Sequence, residues 1–152
     1  MKNIYKTLRK AFPFIGVRPI AEDDAFAFCA DHKIELVFSP FITEAAYAHA
    51  NGYDFIFVNS KLKGRRRLHR IVHEICHFLL HGPIRGGYAV ELYGLAQHRE
   101  GQYEIEAETA AALLMLTPAD LRDPVYCGVF KYDIELRNLV TLRENYLYKY
   151  GK

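Results

Sequence analysis

The sequence is poor in the residues that mark several classes of protein. It has three cysteines, no tryptophan, six prolines and ten glycines in 152 residues. The cysteines, Cys29, Cys76 and Cys127, are widely spaced and odd in number, which excludes a disulfide framework and the spacing of a zinc ribbon. Each lies in an apolar stretch, so we expect small buried side chains.

Long apolar runs and a strong net charge are also missing. No stretch approaches the roughly 20 apolar residues that a membrane-spanning helix needs, and Pro13 interrupts the basic N-terminus before it resembles a secretory signal. The formal net charge of +2 and the pI of about 8.4 are too mild to indicate nucleic-acid binding. We therefore expect a cytoplasmic location without membrane association.

The remaining composition is that of a globular protein, with 51% hydrophobic and 25% charged residues, and the chain is long enough to bury a core. A short helix is predicted over 2–12 and another in "PIAEDDAFAFCADHK". "IELVF" alternates as a strand, with Ile34, Leu36 and Phe38 on one face. "AAYAHANGYDFIFVN" predicts a hairpin that turns at Asn51–Gly52.

Three more helices are predicted in the second half of the chain. The first begins at about Arg65 and ends at Gly82–Pro83, and the others lie in "YEIEAETAAALLML" and "YDIELRNLVTLRENYLYKY". Helices, a small sheet and further helices in this order predict an α+β fold with a small mixed or antiparallel sheet.

The first of these helices carries the motif "HEICH". On a helix His73 and His77 share a face one turn apart, so both imidazoles can reach one zinc ion at about 2.1 Å. Glu74 can take a proton from water that the metal activates and pass it to a leaving amine. Polar side chains on a largely apolar helix cost desolvation energy unless something pairs them, which favours a metal site over coincidence.

His81 continues the spacing of four but is not expected to bind the same ion. Eight helical residues separate it from His73 by a rise of about 12 Å. We expect a helix-end histidine that faces the C-terminal end of the dipole.

The third ligand must come from elsewhere, and "EIEAE" offers three glutamates. Glu104 and Glu108 share a helix face, whereas Glu106 points away from it. If Glu104 binds the metal, Glu108 can accept a hydrogen bond from a ligand histidine. Glu106 stays open as an alternative ligand, and a solvated acidic helix start is the other interpretation of the cluster.

Two further groups of residues have open interpretations. A basic run precedes the motif and could bind an acidic partner or DNA, or form a solvated helix start; direct nucleic-acid binding is not favoured. Its members are Lys61, Lys63, Arg65, Arg66, Arg67 and Arg70. An oxyanion donor could be any of Tyr88, Tyr93, His98 and Tyr103.

Together the motifs resemble the ImmA/IrrE family of metallo-endopeptidases, over about Ile34 to Leu121. The matching segments are "IFVN", "KGRRRLHR", "HEICHFLLH", "EIEAE" and "LLMLTPADL". The resemblance implies a zincin-like, minimal gluzincin core. It also implies one catalytic Zn²⁺ on His73, His77 and Glu104, with Glu74 as the catalytic base.

The resemblance suggests one metallopeptidase domain over 1–152, with N-terminal helices in 1–33, a catalytic core in 34–122 and a C-terminal helix in 131–150. The sequence departs from the family pattern at several positions, none of which removes a ligand. Cys76 and Val72 replace smaller residues, Glu108 and Ala110 replace the usual Asn or Asp and Phe, and one residue is inserted before Pro118.

The activity that the resemblance implies is site-specific cleavage of a protein substrate, a helix-turn-helix transcriptional repressor of a phage, mobile element or stress regulon. Two alternatives stay open. One is a small metallopeptidase of broad specificity, and the other is a non-proteolytic binding module that keeps its metal for structure.

Overall fold

A computed structural model describes residues 3–82, 91–92, 100–123 and 133–151, the side chains of 91, 92 and 100 excepted. The described residues form helices and one small sheet, which confirms the predicted α+β class. The elements are α1 (Ile4–Ala11), α2 (Glu22–Asp31), β1 (Ile34–Ser39), β2 (Ala45–Ala50), β3 (Tyr53–Asn59), α3 (Gly64–His81), β4 (Glu91–Leu92), α4 (Glu100–Met115), a 3-10 turn (Asp120–Arg122) and α5 (Ile134–Tyr150).

The described strands form a mixed sheet in the order β1-β3-β2-β4. β1 runs parallel to β3, whereas β2 is antiparallel to both β3 and β4. The register places Tyr47 of β2 opposite Ile56 of β3, so both side chains lie on one face of the sheet. Tyr47 meets the edge of the Phe78 ring of α3, which identifies this face as the one that packs against α3.

The β2–β3 hairpin turns where the sequence predicts. Ala50 pairs with Tyr53, and the two residues between them have positive φ angles, 52° at Asn51 and 81° at Gly52. Positive φ at both central residues characterises the type I′ turn, whose twist matches that of the flanking strands. The turn chemistry therefore fixes which side chains of β2 and β3 lie opposite each other.

Burial alternates along β3 as the sequence predicts, and it does so less fully along β1. Ile56 and Val58 are completely buried, and Phe55 stacks on Phe57 with ring centroids 6.0 Å apart on the opposite face. In β1, Ile34 is buried but Phe38 is 45% exposed. β1 has a neighbour on one side only among the described strands, so the apolar face predicted for it is covered at one end and open at the other.

The basic start of α3 is compensated by carboxylates from outside the helix. Arg67 makes a bidentate pair with Glu22 of α2 at 2.6 and 2.8 Å. Arg66 and Arg70 each lie 2.7 Å from a carboxylate oxygen of Glu44, the residue before β2. These pairs offset the unfavourable interaction of positive charge with the helix N-terminus and link α3 to α2 and to the sheet.

The chain forms two compact units, Ala21–Ala107 and the combination of Met1–Ile20 with Glu108–Lys152. The first contains α2, the sheet, α3 and the first half of α4. In the second, the Ile20 amide donates to the Leu114 carbonyl over 2.8 Å, and the fully buried Arg143 donates from Nε to the Leu116 carbonyl over 3.0 Å. The organisation as one domain with a core in 34–122 stays a prediction.

The two cysteines within the described ranges behave as the apolar context predicts. Cys29 and Cys76 are buried, with 2% and 0% exposure. Burial raises the pKa of the Cys29 thiol to about 12, so it stays protonated at neutral pH. Cys127 lies outside the described residues.

A substitution in the hairpin tests the turn. Gly52→Ala places a side chain at a φ of 81°, where an L residue is strained, and we expect the free energy of unfolding to fall by about 1 kcal/mol. Gly101→Ala is the matched control because Gly101 lies within α4 with open space around it; alanine favours a helix and should not destabilise. Urea unfolding of both variants measures the difference, and equal stability of Gly52→Ala and the unsubstituted protein would contradict the turn assignment.

Candidate metal centre

Three side chains from α3 and α4 bring their donor atoms together. His73 Nε2 lies 3.0 Å from His77 Nε2 and 3.2 Å from Glu104 Oε2, and His77 Nε2 lies 3.1 Å from Glu104 Oε1. The two imidazoles are nearly completely buried, whereas the Glu104 side chain is 43% exposed. The structure thus brings together the three residues that the sequence suggests as metal ligands.

The spacing of these atoms fits one small divalent ion. Two donors that share a zinc ion at about 2.1 Å each lie roughly 3.4 Å apart in a tetrahedral arrangement, and the three distances here are within a few tenths of that value. His73, His77 and Glu104 form a group whose ligand atoms all lie within 4.8 Å of one another. Imidazole nitrogens and a carboxylate are the donor set of catalytic zinc sites.

The electrostatics of the cluster favour an ionised Glu104. Hydrogen bonds with His73 and His77 hold the pKa of its carboxyl group well below the usual range. Glu106, the alternative ligand, points elsewhere: its Oε2 lies 3.4 Å from His81 Nε2. Of the two glutamates, Glu104 is therefore the one whose carboxylate faces both histidines of the motif.

Glu74 lies between α3 and the sheet. The backbone amide of Tyr47 in β2 donates to Glu74 Oε2 over 2.7 Å. Burial of the carboxyl group, which is 5% exposed, raises its pKa, although His73 and His77 oppose that rise. A carboxylate with one oxygen fixed and a raised pKa has the properties of a general base.

The strand that supplies this amide is itself held by a polar network. The Tyr47 hydroxyl donates to Asp54 Oδ1 over 2.6 Å, and the His49 ring lies 2.8 Å from the same oxygen. The Tyr47 side chain is completely buried. The sequence does not predict this connection because a backbone donor leaves no motif.

His81 is the last residue of α3, as predicted, but its side chain turns inward and is 4% exposed. Its Nδ1 lies 3.2 Å from His77 Nδ1, on the side of the His77 ring opposite the cluster. Burial lowers the pKa of its imidazole. The spacing of four residues that makes His73 and His77 neighbours on the helix is also the signal in the sequence for this contact of His77 with His81.

The remaining candidates are only partly described. Glu108 lies on α4 one turn after Glu104 and belongs to the other compact unit, so its hydrogen bond to a ligand histidine stays a prediction. Tyr88, Tyr93 and His98 lie outside the described residues. Tyr103 packs against His81 with ring centroids 4.4 Å apart.

Metal analysis of two variants tests the ligand set. Glu104→Ala removes one of the three proposed ligands, so we expect this variant to bind less than one equivalent of zinc. Its loss of zinc affinity should exceed the roughly 10–100-fold that removal of a residue hydrogen-bonded to a ligand costs. Glu106→Ala should still bind an equivalent of zinc at saturating metal. Dialysis followed by elemental analysis distinguishes the two, and full zinc in Glu104→Ala would contradict the assignment.

Comparison with known proteins assigns the chain to a family. No curated protein and no solved structure matches it significantly. None of the helices that the structure describes combines the length and apolar composition needed to cross a bilayer. A family model for peptidases, described as the IrrE N-terminal-like domain, matches residues 29–146 and so includes the three clustered ligand candidates and Glu74. This match confirms the resemblance found in the sequence: the chain belongs to the M78 family of metallopeptidases.

Proposed function

We propose that the protein is a zinc-dependent endopeptidase with a zincin-like core, in which His73, His77 and Glu104 hold the ion. The observation that carries the proposal is the convergence of these three side chains, whose facing nitrogen and oxygen atoms lie 3.0 to 3.2 Å apart, next to the buried Glu74 of α3. Family membership supports peptidase activity. The donor set supports zinc over magnesium or calcium, which prefer ligand shells of oxygen atoms alone.

The ligand charges suit hydrolysis. Two neutral imidazoles and one carboxylate leave a divalent ion with a net positive charge. An ion held there would act as a Lewis acid, which polarises a carbonyl and lowers the pKa of water. The nearly complete burial of both histidines strengthens these electrostatic interactions because water screens them less.

Glu74 is the proposed general base. Because the Tyr47 amide fixes Oε2, the carboxylate keeps one orientation and its other oxygen can exchange the proton. The raised pKa of the buried carboxyl group brings its basicity closer to neutral pH, where acceptance of a proton from water and its return to the amine nitrogen are both efficient.

The proposed substrate is a helix-turn-helix transcriptional repressor, cut at one site inside the cytoplasm. This step is supported by the resemblance to the ImmA/IrrE family and by family membership. The compensation of Arg66, Arg67 and Arg70 by Glu22 and Glu44 fits a protein substrate better than direct DNA binding, since paired arginines contribute less to phosphate contacts.

Replacement of Glu74 tests the mechanism. Glu74→Gln keeps the size of the side chain but removes the base, so we expect zinc content to stay unchanged and cleavage to fall by about 10²–10⁴-fold. Glu35→Gln, the same chemical change at an exposed position of β1, should leave cleavage intact. The measurement is mass spectrometry of fragments from a candidate repressor, together with metal analysis.

The outcomes separate the alternatives. Two fragments from one bond support site-specific cleavage, whereas a ragged set of peptides indicates broad specificity. Undiminished cleavage by Glu74→Gln would refute the proposed base. Zinc binding without any cleavage by the unsubstituted protein, over a range of repressors and unfolded proteins, would favour the non-proteolytic binding module.

A further inference from the structure

The nitrogen of His77 that faces away from the ligand cluster has a partner of an unusual kind for a zinc site. His77 Nδ1 lies 3.2 Å from His81 Nδ1, and His81 Nε2 lies 3.4 Å from Glu106 Oε2. We propose that His81 and Glu106 form a positioning relay that orients His77 and strengthens its bond to the metal. The proposal deepens the proposed function and depends on metal binding by His77 through Nε2.

The groups at the two ends of the relay, the metal and the Glu106 carboxylate, fix the positions of the protons between them. A ring nitrogen that binds a metal carries no proton, so Nε2 coordination leaves the His77 proton on Nδ1. This proton is donated toward His81 Nδ1, which must then be bare, and the His81 proton lies on Nε2, facing the Glu106 carboxylate. Every contact therefore joins one donor to one acceptor, and the anion at the far end favours this arrangement.

The relay lies in surroundings that restrict its movement. The His81 side chain is 4% exposed and that of Glu106 is 17% exposed. Tyr103 packs on the His81 ring, and Gln102 donates from Nε2 to Glu106 Oε1 over 3.1 Å. Both residues precede Glu106 in α4, so the start of α4 holds the end of α3 through side chains other than the metal ligand Glu104.

This arrangement gives His81 a function that differs from that of a ligand. The His77 ring lies between His81 and the nitrogens that converge on Glu104, so His81 acts on the metal only through His77. Ligand histidines in metal sites usually donate a hydrogen bond from the N–H of their second ring nitrogen to a carboxylate, a carbonyl or water, and loss of such a partner costs about 10–100-fold in metal affinity. Here a second imidazole is inserted between the ligand and the carboxylate.

Zinc affinity of His81 variants tests the relay, measured by competition with a chromophoric chelator in the Glu74→Gln background to prevent self-cleavage. His81→Leu removes the acceptor and should weaken Zn²⁺ binding about 10–100-fold. His81→Asn should restore most of the affinity because its amide oxygen can occupy the place of Nδ1. His32→Leu is the matched control: His32 packs on the rings of Phe28 and Phe78, a role that the relay does not use, so its loss should leave affinity unchanged.

Nitrogen-15 spectra of the histidine rings in the zinc-loaded protein show which nitrogen of each ring carries the proton. A purely structural role of His81 would not require a particular proton position. We expect the proton of His77 on Nδ1 and that of His81 on Nε2, and Glu106→Leu should remove the preference of His81 for that tautomer and weaken Zn²⁺ binding. A His81 proton on Nδ1, unchanged affinity in His81→Leu, or equal losses in His81→Leu and His81→Asn would each overturn the relay. Unchanged affinity and tautomer in Glu106→Leu would overturn the part assigned to Glu106.

These measurements need no cleavage, so they separate the relay from the proposed function. If His81→Leu binds zinc normally while Glu104→Ala has lost it, the metal site stands and the relay fails. If Glu104→Ala keeps its zinc, the ligand set fails, and the proposed function fails with it.

Discussion

The close approach of two imidazoles and a carboxylate, with facing atoms 3.0 to 3.2 Å apart, is the constraint on which the candidate metal centre depends. The two imidazoles are nearly completely buried, and a buried polar group without compensation costs free energy. A divalent cation compensates all three at once. The low pKa of Glu104 indicates that its carboxylate is ionised and ready to bind a cation.

Other residues of the compact unit Ala21–Ala107 hold α3 in place. Glu22 and Glu44 bind the arginines near the helix start, and the sheet supports its middle through Tyr47, whose amide also fixes Glu74, the proposed general base. If Glu74 acts as this base, its fixed carboxylate would lose little conformational entropy during the reaction, which is how pre-organised sites contribute to catalysis. The ion pairs explain how α3 tolerates Arg66, Arg67 and Arg70 in its first two turns.

The sequence predicted the local features well because they depend on neighbouring residues. The hairpin turn follows from Asn51–Gly52, the end of α3 from Gly82, and the shared face of His73 and His77 from helical periodicity. The same periodicity left Glu104 and Glu106 as alternatives, since it cannot say which face of α4 meets α3. Tertiary contacts were not predictable: the Tyr47 amide has no sequence signature, and the burial of His81 depends on Tyr103 and Glu106, 22 and 25 residues downstream.

The most direct test of the central claim is the position of the metal itself. A crystal of the zinc-loaded protein, with anomalous diffraction recorded at the zinc edge, should show a single ion about 2.1 Å from His73 Nε2, His77 Nε2 and one oxygen of Glu104. His81 should lie beyond the His77 ring, outside bonding distance. An ion bound to His81 or Glu106, or located away from α3, would contradict the account.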